Sequence, residues 1–193
     1  MLPDGLRIVP YYDRSDLVDS ALATVTRVLI EGVLLVVVVL FLFLGDLRSS
    51  LIVVATLVLT PLITFMVMNR YGISANLMSL GGLAIAIGLM VDGSVVVIEN
   101  AFARLGQRRD EPRARVILES VLEVATPVIF GVGIIILVFL PLMTLQGMEG
   151  KMFAPLAITI SIALAISLFL SLTLSPVLSS YLLKGGDRKS TRL

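Results

Sequence analysis

Apolar residues fall in five long runs separated by short polar stretches, at about Val28–Leu44, Leu51–Asn69, Leu77–Ile98, Val124–Leu145 and Phe153–Leu183. A bilayer core is crossed by roughly 20 helical residues, so each run is long enough for one crossing. Each has to be helical, because an open strand would leave backbone groups unpaired in lipid. The fifth run exceeds one crossing, and Pro176 predicts an end or a kink there. Upstream, LRIVPYY (6–12) reads as an extended segment with Pro10 near a strand end. Ser15 then reads as a helix N-cap, with Asp16 and Asp19 favouring the helix dipole, and one helix is expected to run from there into the first span. The first run starts too late, behind a charged stretch, for a cleaved signal peptide. The predicted fold is an all-α membrane bundle of five transmembrane helices over 15–183. Residues 1–14 read as the end of a larger extracytoplasmic domain. The stretch 184–193, which closes on DRKSTRL, carries no apolar pattern and is expected to be a truncated end.

Composition agrees with the pattern. Of 193 residues, 58% are apolar and 15% charged, and soluble surfaces need about a quarter charged residues. The mean hydropathy is +1.05. Cysteine and histidine are both absent, which removes disulfides, thiolate or imidazole metal centres, cysteine nucleophiles and Ser-His-Asp triads. Basic residues are unevenly divided. Five crossings place Arg7, Arg14, Arg27, Arg70 and Lys151 on one side. Ten fall on the other: Arg48, five arginines between 99 and 123, and four residues after 183. The positive-inside rule therefore puts the N-terminus outside and the 99–123 loop in the cytoplasm. Within that loop Ala101–Glu123 has helical spacing. It reads either as a helix lying on the membrane and coupling two halves, or as a solvated connector whose arginines only fix topology.

Acidic side chains inside the spans are the candidate chemistry. Asp92 lies in the third run about four residues past its midpoint, ~6 Å from the bilayer centre. An ionised carboxylate there costs roughly 2.5 to 3.5 kcal/mol even on the mildest insertion scale. Burial raises a carboxyl pKa, so such a group can hold a proton and release it when water or a cation approaches. The alternative is a protonated Asp that only glues helices together. Glu99 follows seven residues later, about 20° from the same helix face, and marks a track towards the cytoplasm or simply an interfacial charge. Glu31 either lines the same interior or snorkels to the surface. Gly81 and Gly88 fall near the Asp92 direction and would let another backbone approach, so Asp92 is expected to face a helix bundle. Met78 lies about 40° from Asp92 and Met90 about 160° away. Thioethers suit Cu(I) or Ag(I), although methionine in an apolar helix is most often packing.

The string GGLAIAIGLMVDGSVVVIENAFARL (81–105) strongly resembles the fourth transmembrane helix of resistance-nodulation-division exporters, above all the heavy-metal efflux branch of the CzcA/CusA type. LPDGLRIVPYYDRSDLVDSAL, LFLGDLRSSLIV and MFAPLAITISIAL agree with it. The likeness covers about residues 2–183 and corresponds to helices two to six of a twelve-helix protomer, with 1–14 as the remnant of the periplasmic porter domain and 184–193 expected to be a tail outside the family. It implies a trimeric inner-membrane pump that uses H+ as coupling ion and works with a periplasmic adaptor and an outer-membrane channel. No cofactor is implied, and the exported ion is Cu(I)/Ag(I) or a divalent metal. By motif position Asp92 resembles the proton-relay carboxylate, Glu99 a secondary relay acid, and Met78 and Met90 positions of a soft-metal path.

Departures from the family pattern narrow the reading. Ala86 stands where the zinc/cobalt/cadmium branch has an acid, as in the copper/silver branch. Val97 and Leu164 stand where that branch has methionines. Multidrug relatives usually carry two adjacent acids, whereas Gly93 follows Asp92 here. Rival expectations are a multidrug or protein-export relative, an inert truncated fragment, and an intramembrane aspartyl protease. The protease needs two facing aspartates, and the spans offer one.

Overall fold

The computed structural model describes residues 14–45, 47–108 and 111–182. The extended segment expected at 6–12 and the tail 184–193 lie outside the described residues. Five helices follow in order: α1 (Arg14–Leu44), α2 (Leu47–Arg70), α3 (Leu77–Gln107), α4 (Arg113–Met143) and α5 (Gly147–Leu182). All five are long and apolar enough to cross a membrane. α1 does run unbroken into the first span, and it starts at Arg14, one residue before the expected Ser15 cap.

Two expected boundaries move. The segment 99–123 is not a loop: α3 continues to Gln107 and α4 already begins at Arg113. Its polar residues are spaced for continuation of the flanking helices, so the chain forms a helical hairpin there and not a separate helix along the membrane. α5 also runs through Pro176 to Leu182 without ending. A proline removes one backbone hydrogen bond, which costs about 3 kcal/mol in an exposed helix interior. Within a packed membrane bundle that loss is tolerated.

The turns are set by local chemistry. Between α2 and α3, Gly72 adopts φ +66°. Its N–H donates to the Asn69 carbonyl at 3.2 Å, and the Ile73 N–H donates to the Met68 carbonyl at 2.9 Å. That double bond pattern closes a helix on a left-handed residue, where glycine carries no Cβ penalty. Asn76 then caps α3, its Oδ1 accepting from the Ser79 N–H at 2.9 Å. At the start of α5 a Cβ on Gly150 would overlap the Leu145 carbonyl oxygen, so only glycine fits.

α3 and α5 form the central pair, with α2 and α4 alongside both and α1 against α2 and α3. Lipid tails are as apolar as leucine, so helices in a bilayer associate through close packing and hydrogen bonds. The sequence supplies both. Gly82 lets α3 touch the backbone of Leu156, whose carbonyl oxygen lies 2.7 Å from where a Cβ would sit. On α5, Ser167, Ser171, Ser175 and Ser179 recur every fourth residue and are all buried, a narrow face that lets neighbours close in. On α2, Thr56, Thr60 and Thr64 are likewise buried. Thr60 and Thr64 bond back to their own helix at 2.7 Å, and Thr56 reaches Ser94 of α3 at 3.4 Å. The main core cluster joins Leu57, Leu83, Ile87, Met90, Ile160 and Leu164.

Candidate functional site

α3 carries the sequence-predicted site, and its two faces differ. Leu83, Ile87, Met90, Ser94, Val97 and Ala101 are buried against the neighbouring helices. The opposite face holds Gly81, Ile85, Gly88, Asp92, Val96 and Glu99, and from Ile85 downwards all are exposed. Successive residues turn by about 100°, so Asp92 points roughly opposite Leu83 and Ala101. The expectation that Asp92 points into a bundle is therefore not met by these five helices: its carboxylate lies on the one long face of α3 that α1, α2, α4 and α5 leave open. Gly81 and Gly88 on the same face have nothing within 4 Å of an added Cβ. The face is thus open at both glycines, with the Asp92 carboxylate in the third apolar run.

Glu99 shares that face and is exposed two turns further along. Asp92 and Glu99 thus do stand on one line, as the seven-residue spacing requires. Neither makes a hydrogen bond or ion pair within the described residues. Glu31 belongs elsewhere. Its Oε1 accepts from Arg27 Nε at 2.8 Å one turn away, and both side chains are exposed in this five-helix segment. Exposed pairs of this kind contribute about 0 to 1 kcal/mol.

The two methionines are not brought together. Met90 is 4% exposed and belongs to the main core cluster, on the far side of α3 from Asp92. Met78 is half-buried near the first turn of α3. About twelve residues of helix, roughly 18 Å, separate them. Ala86, Val97 and Leu164 are buried too, at 0%, 1% and 1% exposure, so all three serve packing in this chain. Among the described residues no group of three or more carboxylate, imidazole or thiolate side chains is placed to hold a metal ion.

Sequence reading missed one part of this region, the cross-links between α3 and α4 beyond Glu99. Asn100 Nδ2 donates to the Ser120 carbonyl at 2.8 Å. Arg104 Nη2 donates to both oxygens of Glu123 at 2.6 and 2.8 Å. Arg108 Nη1 and Arg115 Nε reach Glu119 at 2.6 and 3.0 Å. Hydrogen bonding from Arg115, then from Arg108, holds the Glu119 carboxyl below its ordinary value, and the same bond raises Arg115. These charged turns precede the apolar run that begins at Val124. The signal in the sequence was the matching arginine and glutamate positions, but they pair across helices and only the hairpin aligns them.

The fold and this face define a class: a multi-pass helical membrane segment, with a carboxylate at membrane depth on a helix side that the segment does not itself cover. Comparison with known proteins gives the family. Residues 1–193 match the AcrB/AcrD/AcrF family, and the chain belongs to it, that is, to the resistance-nodulation-division transporters. It is 45% identical over 167 residues to the cobalt-zinc-cadmium resistance protein CzcA of Cupriavidus metallidurans, which covers 82% of this chain and 16% of that protein. It is 40% identical over 193 residues to the cation efflux system protein CusA of Escherichia coli, covering 95% and 18%. The crystal structure of a heavy metal efflux pump superposes with a TM-score of 0.78 at 42% identity, over 91% of this chain and 17% of that one. The chain thus spans less than a fifth of the length of these relatives.

Proposed function

We propose that this chain is a segment of the transporter subunit of a proton-driven heavy-metal exporter of the inner membrane. Asp92 takes up and releases the coupling proton, and Glu99 relays it towards the cytoplasmic side. The observation that carries the reading is the position of Asp92. A carboxylate at membrane depth is costly to ionise, and here it stands on the open, small-residue face of α3. A helix from the remaining half of the transporter would cover that face. An approaching helix or water changes the polarity around the carboxyl and so changes its proton affinity. That alternation is what a proton-driven cycle needs.

Metal efflux as the work done is supported by the similarity to a cobalt-zinc-cadmium resistance protein and to a cation efflux system protein. The exported ion is Cu(I)/Ag(I) or a divalent metal, and it is substrate, not a resident cofactor. The placement of Met90 in the core gives a shared Met78–Met90 metal path no support within this chain. The assembly is a homotrimer working with a periplasmic adaptor and an outer-membrane channel. The N-terminus is periplasmic, and the α3–α4 turn, with its arginines, is cytoplasmic.

The test is Asp92→Asn in the intact pump that carries this segment. Asparagine keeps the shape and polarity but cannot exchange a proton. Metal resistance is expected to be lost, with membrane level and trimer assembly unchanged. Wild-type resistance in that variant would overturn the proton-relay reading.

A further inference from the structure

The cross-links between α3 and α4 have chemistry that the proton relay itself does not use. Taking Asp92 as zero on the wheel of α3, Gly93 lies at about 100°, Asn100 at about 80° and Arg104 at about 120°. All three meet α4: Gly93 faces Val128, whose Cγ1 lies 3.5 Å from an added Cβ, Asn100 donates to the Ser120 carbonyl, and Arg104 Nη2 donates to both oxygens of Glu123. A strip three turns long, on one flank of α3, is thereby fixed to α4 a quarter turn away from Asp92.

The kind of contact matters. Arg104 and Glu123 are partly exposed, 35% and 52%, so as an ion pair they stabilise only weakly. Both contacts come from one nitrogen, Arg104 Nη2, and they draw the end of α3 onto α4. Asn100 adds a side-chain amide bonded to the backbone of the other helix, and that acceptor stays in place whatever side chain occupies position 120. A helix held along one flank cannot roll about its own axis without breaking these bonds. A roll of about 80° to 100° is what would carry Asp92 off the open face and against α4.

We propose that Asn100 and Arg104 are positioning residues that lock α3 to α4, so that the two helices move as one body and Asp92 keeps its heading towards the open face. The inference rests on the reading of Asp92 as the proton carrier. It assigns Asn100, next to Glu99, a mechanical role distinct from proton transfer.

The experiment uses the intact pump with spin labels at Ala103 and Leu122, both exposed. Export of Cu(I) and Zn(II) by everted membrane vesicles is followed in parallel. Wild type should give one narrow label-to-label distance. The double variant N100L/R104E removes the amide and sets an acid against Glu123, so the distance should broaden. Maximal transport rate should fall about tenfold, with KM for the metal unchanged. In R104E/E123R the charges are exchanged and Asn100 is intact, and both the narrow distance and the rate should return. Should N100L/R104E fail to reach the membrane, N100A alone is read against the same two signals. A narrow distance with wild-type rate in the variant overturns the proposal, and so does a broad distance with unchanged rate. If Asp92→Asn transports normally, the proton reading falls, while the distance measurement still judges the lock by itself.

Discussion

Gly81 and Gly82 are neighbours in sequence and stand on different sides of α3. A Cβ on Gly82 would lie 2.7 Å from the Leu156 carbonyl oxygen, whereas one on Gly81 meets nothing within 4 Å. The same contrast runs down the helix, with Leu83, Ile87 and Met90 buried on one face and Ile85, Gly88 and Asp92 exposed on the other. One face of α3 is occupied with holding the segment together. The other is free of that duty and carries the acidic chemistry. The two faces should therefore respond to substitution in different currencies, stability on one and transport on the other.

The largest separation is expected for Asp92→Asn, which should remove transport while leaving the thermal unfolding of the detergent-solubilised protein within a degree or two of wild type. Loss of folded protein in that variant would erase the distinction between the faces. Next come the paired glycines. Gly82→Val drives a side chain into the backbone of α5 and should destabilise by about 1 to 3 kcal/mol, the usual range for overpacking. Gly81→Val should leave the stability of this segment nearly unchanged and show its effect in transport. Equal unfolding temperatures for the two would contradict the packing described. A milder comparison is Leu83→Ala, expected to cost roughly 2 kcal/mol through the cavity it leaves among these five helices, against Ile85→Ala, expected to leave the packing among these five helices intact and to cost less. Denaturant titration of both variants decides it.

The smallest effect belongs to the charged hairpin. Glu119 is held below its ordinary pKa by Arg115 and Arg108, so its contribution is complete above the ordinary glutamate value of 4.5. That contribution disappears as the pH falls through the depressed value. A spin label at Gln107 should gain mobility when the pH is taken from about pH 6 to below that depressed value, and Glu119→Gln should show that mobility already at pH 6. A label equally restrained at both pH values would show that the glutamate does not restrain the hairpin.

Much of this architecture was legible in the chain because membrane helices announce themselves by length and hydropathy. The five runs became five helices, and Asp92 and Glu99 share a face because helical spacing leaves no other outcome. The ends of α3 and α4 were misread as a loop, since charged residues beyond an apolar run look the same in a solvated helix and in a connector. An end or a kink was expected at Pro176 because the fifth run exceeds one crossing and a proline removes a backbone hydrogen bond. In α5 the helix continues through it, among buried serines that reading had not singled out. Met90 was a candidate for a soft-metal path by its motif position, with packing as the alternative, and the structure places it in the core beside Leu57 and Leu164.

Sequence by itself determined the number of helices and the acidic line on α3, because both depend on local composition and the fixed pitch of an α-helix. Only the tertiary structure decided which side of α3 is covered, that Asn100 and Arg104 reach across to Ser120 and Glu123, and that Gly82 rather than Gly81 bears the close approach. Those are matters of which helix stands beside which, and a pattern of apolar residues that only has to face lipid or another helix does not distinguish the two.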